Sequence, residues 1–263
     1  MARETKTRET TRQTKKPGGI RWRLWLILAG LGLACASTAV AAMKLRDYLA
    51  ADPRYALSAE RRDALAIDGL RYASQSKVRH VFDADFGHGI VTVPLAERRR
   101  RLLAIDWVED ASVSRVWPDR LMVQIRERHP VAFVYLGSTV ALVDAEGVLL
   151  EPPPQATFSF PVLSGIREDS TEATRRERVR AMLRLEDEMG YLAKDISEVD
   201  ASDPEDMRIV VQVDHQTVSL LLGDSNYGRR YQNFLGHFAE IAQRLPRART
   251  FDLRLEDRIT AKD

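Results

Sequence analysis

An uncharged stretch of twenty residues, at positions 24–43, constrains the fold of this chain more than any other feature. As an α-helix it is about 30 Å long, which matches the hydrocarbon thickness of a bilayer. It lacks the polar stripe that a long surface helix of a soluble protein presents to water. We therefore predict a transmembrane helix over residues 24–43, preceded by a tail at residues 1–23 and followed by a folded body.

A cleaved signal peptide is the alternative interpretation of this stretch. Ala39, Val40 and Ala41 have the small-x-small spacing of a cleavage site. However, the apolar region of a signal peptide is about 7–15 residues long, which is shorter than the stretch seen here. For that reason we favour a permanent anchor.

The charges that precede the stretch predict its orientation. Residues 1–23 carry eight basic and two acidic side chains, and basic residues next to a span remain on the cytoplasmic side. Arg21 and Arg23 lie closest to the span, and Trp22 stands between them, where an interfacial aromatic anchor is expected. We predict a single-pass type II protein of the inner (plasma) membrane, with a cytoplasmic N terminus and the body outside.

Composition limits what the body can do. The chain has 40 basic and 38 acidic side chains, so beyond the basic tail the acidic residues slightly outnumber the basic ones. A nucleic-acid-binding domain would show a basic excess instead. The one cysteine, Cys35, lies inside the apolar stretch, which leaves the body without a disulfide, a cysteine-ligated zinc site or a thiol nucleophile.

Residues 62–130 have the pattern of a small α/β unit that follows a stalk at residues 44–61. We expect a strand within residues 62–70, helices over 74–82 and 94–105, and a hairpin of strands 108–116 and 121–127. Leu121, Val123 and Ile125 alternate with more polar side chains, as in a half-buried antiparallel strand. We interpret the arginine run at residues 98–101 as a solvated helix face rather than an anion or partner site.

Residues 131–263 predict further short strands and two long helices. The strands are expected at residues 131–136, 140–143, 148–150, 207–213, 217–222 and 250–255. One helix begins near Thr171 and stops at Gly190, and the other covers residues 227–245. Residues 251–260 are the candidate free edge of the sheet.

No combination of residues indicates an enzyme. The histidines are scattered, Ser164 and Gly165 lack the GxSxG pattern, and residues 86–89 lack the spacing of a phosphate-binding loop. We therefore predict no catalytic residue, cofactor or metal, and favour protein binding at a sheet edge that accepts a strand from a partner. The alternative for that last strand is that it merely completes the fold.

Short motifs from residue 67 to residue 254 resemble the FtsQ/DivIB family of bacterial cell division proteins. They are IDGL at 67–70, WVEDASV at 107–113, PDRL at 118–121, ERHPVA at 127–132, VDAEG at 143–147, PVLSG at 161–165, LG at 222–223 and FDLR at 251–254. Leu255 stands where the family often has an aromatic residue.

The resemblance implies the fold and the role of the chain. It implies an α+β protein with one transmembrane helix, a POTRA domain (βααββ) at residues 62–130 and a C-terminal β-domain, an antiparallel sheet with helices, at residues 131–263. The implied role is an essential, non-enzymatic divisome scaffold with a periplasmic body at the septum, which links early cytoplasmic to late periplasmic division proteins.

The resemblance also implies partners and a site. The partners are FtsB and FtsL homologues and other divisome proteins, with no nucleic acid and no small-molecule substrate. The FtsB-like partner is expected on the last strand of the β-domain and the helix before it. The implied residues there are Phe251, Leu253, Arg254, Leu255, Ile259 and Tyr231.

Two other functions are less consistent with the sequence. A POTRA-bearing envelope assembly or secretion factor would need a following barrel of many strands, which residues 131–263 with their helices cannot form. A membrane-anchored envelope hydrolase would need a catalytic set of residues that the sequence does not display.

Overall fold

The computed structural model describes residues 21–154, 156–255 and 258–262, and its first element is a long helix, α1 (Arg21–Ala51). The tail at residues 1–20 lies outside the described residues. The helix continues past the predicted end at residue 43, because residues 44–51 contain neither glycine nor proline and Pro53 is the first residue that opposes it. Within the described residues, α1 is the one helix that is long and apolar enough to cross a membrane.

Residues 65–127 form a three-stranded sheet with two helices, which we call the N-terminal sheet unit. Its elements are β1 (Leu65–Asp68), α2 (Gln75–His80), α3 (Leu95–Leu102), β2 (Val108–Val116) and β3 (Arg120–Glu127). The central strand β3 pairs in parallel with β1 and antiparallel with β2. The predicted order of strand, helix, helix, strand, strand is confirmed, and Leu121, Val123 and Ile125 are buried as expected.

Our interpretation of the arginine run as a solvated helix face was wrong for Arg98. The residue is only 6% exposed, and its guanidinium holds the buried Asp85 carboxylate through two hydrogen bonds, Nε to Oδ2 at 2.6 Å and Nη2 to Oδ1 at 2.8 Å. These bonds raise the pKa of Arg98 above its usual value. The reason for its burial is helical spacing, since Arg98 lies three residues after Leu95 and four before Leu102, on the core-facing side. The other three arginines of the run are exposed, as predicted.

Residues 130–262 form a nine-stranded mixed sheet with two long helices, which we call the C-terminal sheet unit. Its strands are β4 (Pro130–Leu136), β5 (Thr139–Asp144), β6 (Leu149–Leu150), β7 (Val162–Ser164), β8 (Ile196–Asp200), β9 (Met207–Val213), β10 (Gln216–Gly223), β11 (Thr250–Asp252) and β12 (Thr260–Lys262). Its helices are α4 (Glu172–Met189) and α5 (Tyr227–Arg244). The strand order is β12-β11-β10-β9-β8-β7-β4-β5-β6.

The two long helices pack together with the sheet around one hydrophobic core. Met182 and Leu185 of α4 and Phe234 and Phe238 of α5 are buried in it. The helices approach closely at Gly228, where an added Cβ would lie 2.9 Å from the Glu188 carbonyl oxygen. The predicted bounds of both helices are confirmed to within two residues, and Gly190 ends α4 as expected.

The sequence prediction was wrong about the last strand and omitted two others. The chain does not run as one strand over residues 250–255 or 251–260, because β11 ends at Asp252 and β12 folds back antiparallel to it. The Asp252 side chain accepts a hydrogen bond from the Arg254 backbone N–H at 3.1 Å, a turn geometry that ends a strand. The strand β7 was not predicted because it has only three residues. The strand β8 was not predicted because a register shift between Ile196 and Glu198 leaves its buried residues, Ile196 and Val199, without the period-two alternation of a regular strand.

The N-terminal and C-terminal sheet units are joined by a small aromatic core to which both contribute, and not by a flexible linker. Tyr72 and Trp107 of the first unit pack with Phe158 and Phe160 of the second. The Trp107 Nε1 donates a hydrogen bond to the Glu151 carbonyl oxygen at 3.0 Å. Only two residues separate β3 from β4, and one of them, Arg128, forms an ion pair with the buried Asp144 at 2.8 Å.

Candidate protein-interaction surface

Three of the six residues implied for partner binding lie in the core. Phe251, Leu253 and Tyr231 are almost completely buried, and the Phe251 ring packs on Phe234 with centroids 5.2 Å apart. Burial raises the pKa of Tyr231 to about 12. Phe251 and Tyr231 therefore hold the end of the sheet against α5 and are not in a position to touch a partner directly.

The other three implied residues lie at the surface beside α5. Leu255 and Arg254 are exposed, and Ile259 is half-buried. Leu253, Leu255 and Ile259 line a groove of about 220 Å³. Its opposite side is formed by three residues of α5, Arg229, Arg230 and Asn233. We call this feature the α5 groove.

Arg254, between the groove residues Leu253 and Leu255, does not line the groove but is fixed in place. Its Nε and Nη2 donate to the two carboxylate oxygens of Asp252 at 2.9 and 2.6 Å, and Nη1 lies 3.4 Å from an Asp206 oxygen. The hydrogen bonds with Asp252 raise the pKa of Arg254, and the same contacts lower the pKa of Asp252. Arg254 is thus a preoriented cation whose outer surface remains exposed.

Arg230 brings a cation to the groove itself. Its Nη1 donates to the Leu222 carbonyl oxygen, whereas its buried Nε has no hydrogen-bond partner among the described residues. A buried donor without an acceptor is unfavourable.

The strand β12 forms one edge of the nine-stranded sheet. It pairs with β11 on one side, and no described strand pairs with its other side. Its short exposed backbone can therefore accept another strand. The opposite edge, β6, has two residues, and Pro152, Pro153 and Pro154 follow soon after it, which makes that edge a poor template.

The predicted anchor residues lie in the first turn of α1. The Trp22 side chain is exposed there, and the side chains of Arg21 and Arg23 lie outside the described set. Of the described residues, no group of three or more His, Cys, Asp or Glu side chains is arranged to hold a metal ion.

The resemblance implied the helix before the last strand, α5, but the residue named on it, Tyr231, is buried, and the residues of α5 that line the groove were not named. The same spacing that directs Tyr231 and Phe234 into the core places Arg229 and Asn233, four residues apart, together on another face. That signal was present in the sequence. The position of Ile259 opposite these residues has no comparable local signal.

Comparison with known proteins gives matches over most of the chain. Two family models match consecutive parts of it: the POTRA domain, FtsQ-type, over residues 63–128, and the Cell division protein FtsQ/DivIB, C-terminal, over residues 132–254. The cell division protein FtsQ of Koribacter versatilis is 36% identical over 206 residues, which cover 76% of this chain and 59% of that protein. FtsQ of Zymomonas mobilis is 34% identical over 100 residues, which cover 38% of this chain and 32% of that protein.

This chain therefore matches less than two thirds of the length of these two relatives. Among solved structures, the major extracytoplasmic domain of DivIB from Geobacillus stearothermophilus is 23% identical and matches 46% of this chain and 96% of that domain. Its TM-score of 0.25 is too low to bear on the fold. The two adjoining family matches and the long Koribacter alignment show that this chain belongs to the FtsQ/DivIB family of cell division proteins, a non-enzymatic family.

Proposed function

We propose that this protein is a non-catalytic scaffold of the bacterial division machinery, held in the inner membrane by α1 and enriched at the septum. In this proposal residues 1–23 lie in the cytoplasm, and two domains, at residues 62–130 and 131–263, lie in the periplasm. Family membership, the apolar helix α1 and the basic residues before it support this arrangement.

The work of the scaffold is to bind an FtsB-like partner, and through it an FtsL-like protein, at the edge strand β12 and the α5 groove. The observation that carries this proposal is the position of an unpaired strand edge directly beside a groove with apolar and cationic walls. A partner segment that pairs with β12 would obtain affinity from backbone hydrogen bonds. Contacts between its side chains and the α5 groove would provide specificity.

The chemistry of the groove indicates which side chains that segment carries. Leu255 and Ile259 offer apolar contact in the groove, and Arg229 and Arg230 line its other wall with charge. Arg254, next to Leu255 in the chain, adds an exposed cation outside the lining. We infer a segment that combines aliphatic side chains with at least one carboxylate, because the Arg254 guanidinium beside the groove is held in place and stays exposed. The buried residues Phe251, Leu253 and Tyr231 keep this surface in shape.

A substitution that introduces a charged side chain into the groove tests this proposal. We expect Leu255→Glu to weaken binding of the FtsB-like partner by about 2 kcal/mol or more, because it places a carboxylate on an apolar contact. The measurement is the affinity of the full chain, in detergent, for the purified partner. Leu245→Glu is the matched control, since Leu245 is 48% exposed against 55% for Leu255 but lies at the far end of α5.

Retained affinity in Leu255→Glu would remove the α5 groove from the interface. Equal losses in both variants would show a general effect of charge rather than a site. The melting temperature of each variant, compared with that of the unchanged chain, detects a folding defect.

A further inference from the structure

We propose that the turn between β2 and β3, with Trp117 at its start, docks onto the outer leaflet of the same bilayer that holds α1. This inference rests on the proposed membrane anchor. It adds a lipid-contacting surface to the N-terminal sheet unit, formed by Trp117 together with Tyr55 and Tyr48. The occupant is the headgroup layer of the membrane itself.

The first observation is that α1 passes into the N-terminal sheet unit without a flexible segment. Asp52 caps the short turn Pro53–Tyr55 that follows the helix directly. Residues 55–57 then pair with residues 87–90 through Leu57 N–H to His88 O at 2.9 Å, Gly87 N–H to Leu57 O at 2.8 Å and Ile90 N–H to Tyr55 O at 2.8 Å. The sheet unit is therefore fastened to the end of the helix.

A close backbone contact strengthens this connection. An added Cβ at Gly89 would lie 3.0 Å from the Ala50 Cα, so the loop at Gly89 rests on the last turn of α1. Gly89 also forms a bridge with Ala56. Because bridged residues lie about 5 Å apart, Ala56 is held within about 10 Å of Ala50.

The second observation is that Trp117, in the turn between β2 and β3, is exposed. The Trp117 ring meets the Tyr55 ring edge to face, with centroids 5.6 Å apart. Trp117 is 54% exposed, whereas Trp107 in the same sheet unit is 7% exposed. An amphipathic ring left in solvent close to a membrane-spanning helix is typical of the interfacial aromatic belt.

The third observation is the length of α1. Trp25 and Tyr48 are exposed on this helix, and they are separated by about 35 Å of helical rise. This separation lies between the roughly 30 Å hydrocarbon core and the roughly 40–45 Å of a bilayer with its headgroups. With Trp25 at one interface and Tyr48 at the other, the helix ends at Ala51 close to headgroup level, and so does the attached turn.

The charges around the turn are compatible with an anionic membrane surface. Asp119, within the turn, pairs with Arg61, and Asp63 also pairs with Arg61 at 2.9 Å. The hydrogen bond with Asp63 raises the pKa of Arg61, and it lowers the pKa of Asp63. Arg120 lies 3.8 Å from Asp63, so the two carboxylates and the two guanidinium groups carry no net charge and would not repel the headgroups.

Quenching of tryptophan emission by a lipid tests the docking. The full chain and its Trp117→Phe variant are reconstituted in vesicles of phosphatidylethanolamine and phosphatidylglycerol that contain a headgroup-spin-labelled lipid. The difference between their emissions isolates Trp117. We expect the spin label to remove most of this difference emission. The variant retains Trp22, Trp25 and the buried Trp107, and we expect the label to remove the part of its emission that comes from Trp22 and Trp25.

The control places a tryptophan where no membrane contact is expected. Tyr191 is exposed in the C-terminal sheet unit, and Tyr191→Trp in the Trp117→Phe background should remain unquenched. Equal quenching at both positions, or no quenching of Trp117 while Trp22 and Trp25 are quenched, would overturn the docking and leave the anchor intact. If Trp22 and Trp25 also escape quenching, the proposed anchor itself is wrong.

A protein partner on the same turn is the competing occupant. If Trp117 is unquenched in vesicles but loses exposure to a water-soluble quencher when the FtsB-like partner is added, the turn is a protein surface. That result would contradict the lipid-docking proposal.

Discussion

Arg98 shows that a charged side chain can be part of a core when its counterion is buried with it. The Asp85 carboxylate and the Arg98 guanidinium satisfy most of each other's hydrogen-bonding capacity, although Arg98 Nη1 has no hydrogen-bond partner among the described residues. Neither group can return to water without rearrangement of α3. Removing one partner therefore leaves an uncompensated buried charge.

We predict that Asp85→Ala destabilises the protein by about 3–5 kcal/mol. The double variant Asp85→Leu with Arg98→Met should be close to the unchanged chain, because it removes both charges together. Urea unfolding of the full chain in detergent, followed by tryptophan fluorescence, measures both values. Arg100→Met on the exposed side of α3 should stay within about 0.5 kcal/mol, and a similar loss there would contradict a specific role for the buried pair.

The position of Arg98 could have been predicted, whereas its partner could not. The spacing to Leu95 and Leu102 places it on the inner face of α3. By contrast, Asp85 lies in a short turn thirteen residues earlier, and no periodicity connects the two. In the candidate site the same limit applies to Arg230, whose contact with Leu222 depends on how α5 returns to the sheet.

At the scale of elements, the strongest constraint is the contact between α4 and α5. Gly228 permits it, because the helices approach until the Glu188 carbonyl oxygen occupies the space of a side chain. The same helix α5 supplies one wall of the groove. Its distance from α4 therefore helps to set the shape of the proposed interaction surface.

We predict that Gly228→Ala destabilises the protein by about 1–3 kcal/mol, because the helices must move apart. Gly236→Ala is a matched control in the same helix, since an added Cβ there meets nothing within 4 Å. It should stabilise the protein by about 0.5–1 kcal/mol through lower backbone entropy in the unfolded state. Urea unfolding measures the change in the free energy of unfolding of each variant, and we expect the two changes to have opposite signs. Two changes of the same sign would refute this explanation.

Sequence patterns predicted long elements well and chain reversals poorly. The strand β9 and the end of α4 at Gly190 agree with the prediction, because each has a sustained periodicity or a clear stop signal. In contrast, β7 has three residues and follows Pro161, so its pairing depends on its neighbours β4 and β8. The split between β11 and β12 likewise depends on the pairing of the two strands with each other.

At the scale of the whole molecule, the shared aromatic core between the sheet units determines how they move. Trp107 fills this core and donates a hydrogen bond across it. Glu127 supports the same region, because its carboxylate accepts hydrogen bonds from the backbone N–H groups of Arg71, Tyr72 and Ala73. The sequence predicted two units with a boundary near Pro130 but not this shared core, whose members are far apart along the chain.

We predict that Trp107→Ala loosens the two sheet units relative to each other. The change removes a buried ring, at a cost of about 3–5 kcal/mol, together with the hydrogen bond to Glu151. Spin labels at Arg100→Cys on α3 and Asp187→Cys on α4, in a Cys35→Ser background, report the distance distribution between the units. This distribution should broaden in Trp107→Ala and stay narrow in Trp117→Ala, and an unchanged width in Trp107→Ala would show that the aromatic core does not couple them.

The ladder between residues 55–57 and 87–90 has a consequence for how the protein meets its neighbours. Because this ladder joins α1 to the first sheet and the aromatic core joins the first sheet to the second, rotation of α1 about the membrane normal carries β12 around an arc. Any neighbouring helix that fixes the rotation of α1 about the membrane normal would then also fix the direction in which β12 faces. The height of β12 above the membrane surface would be set by the residue at which α1 leaves the bilayer.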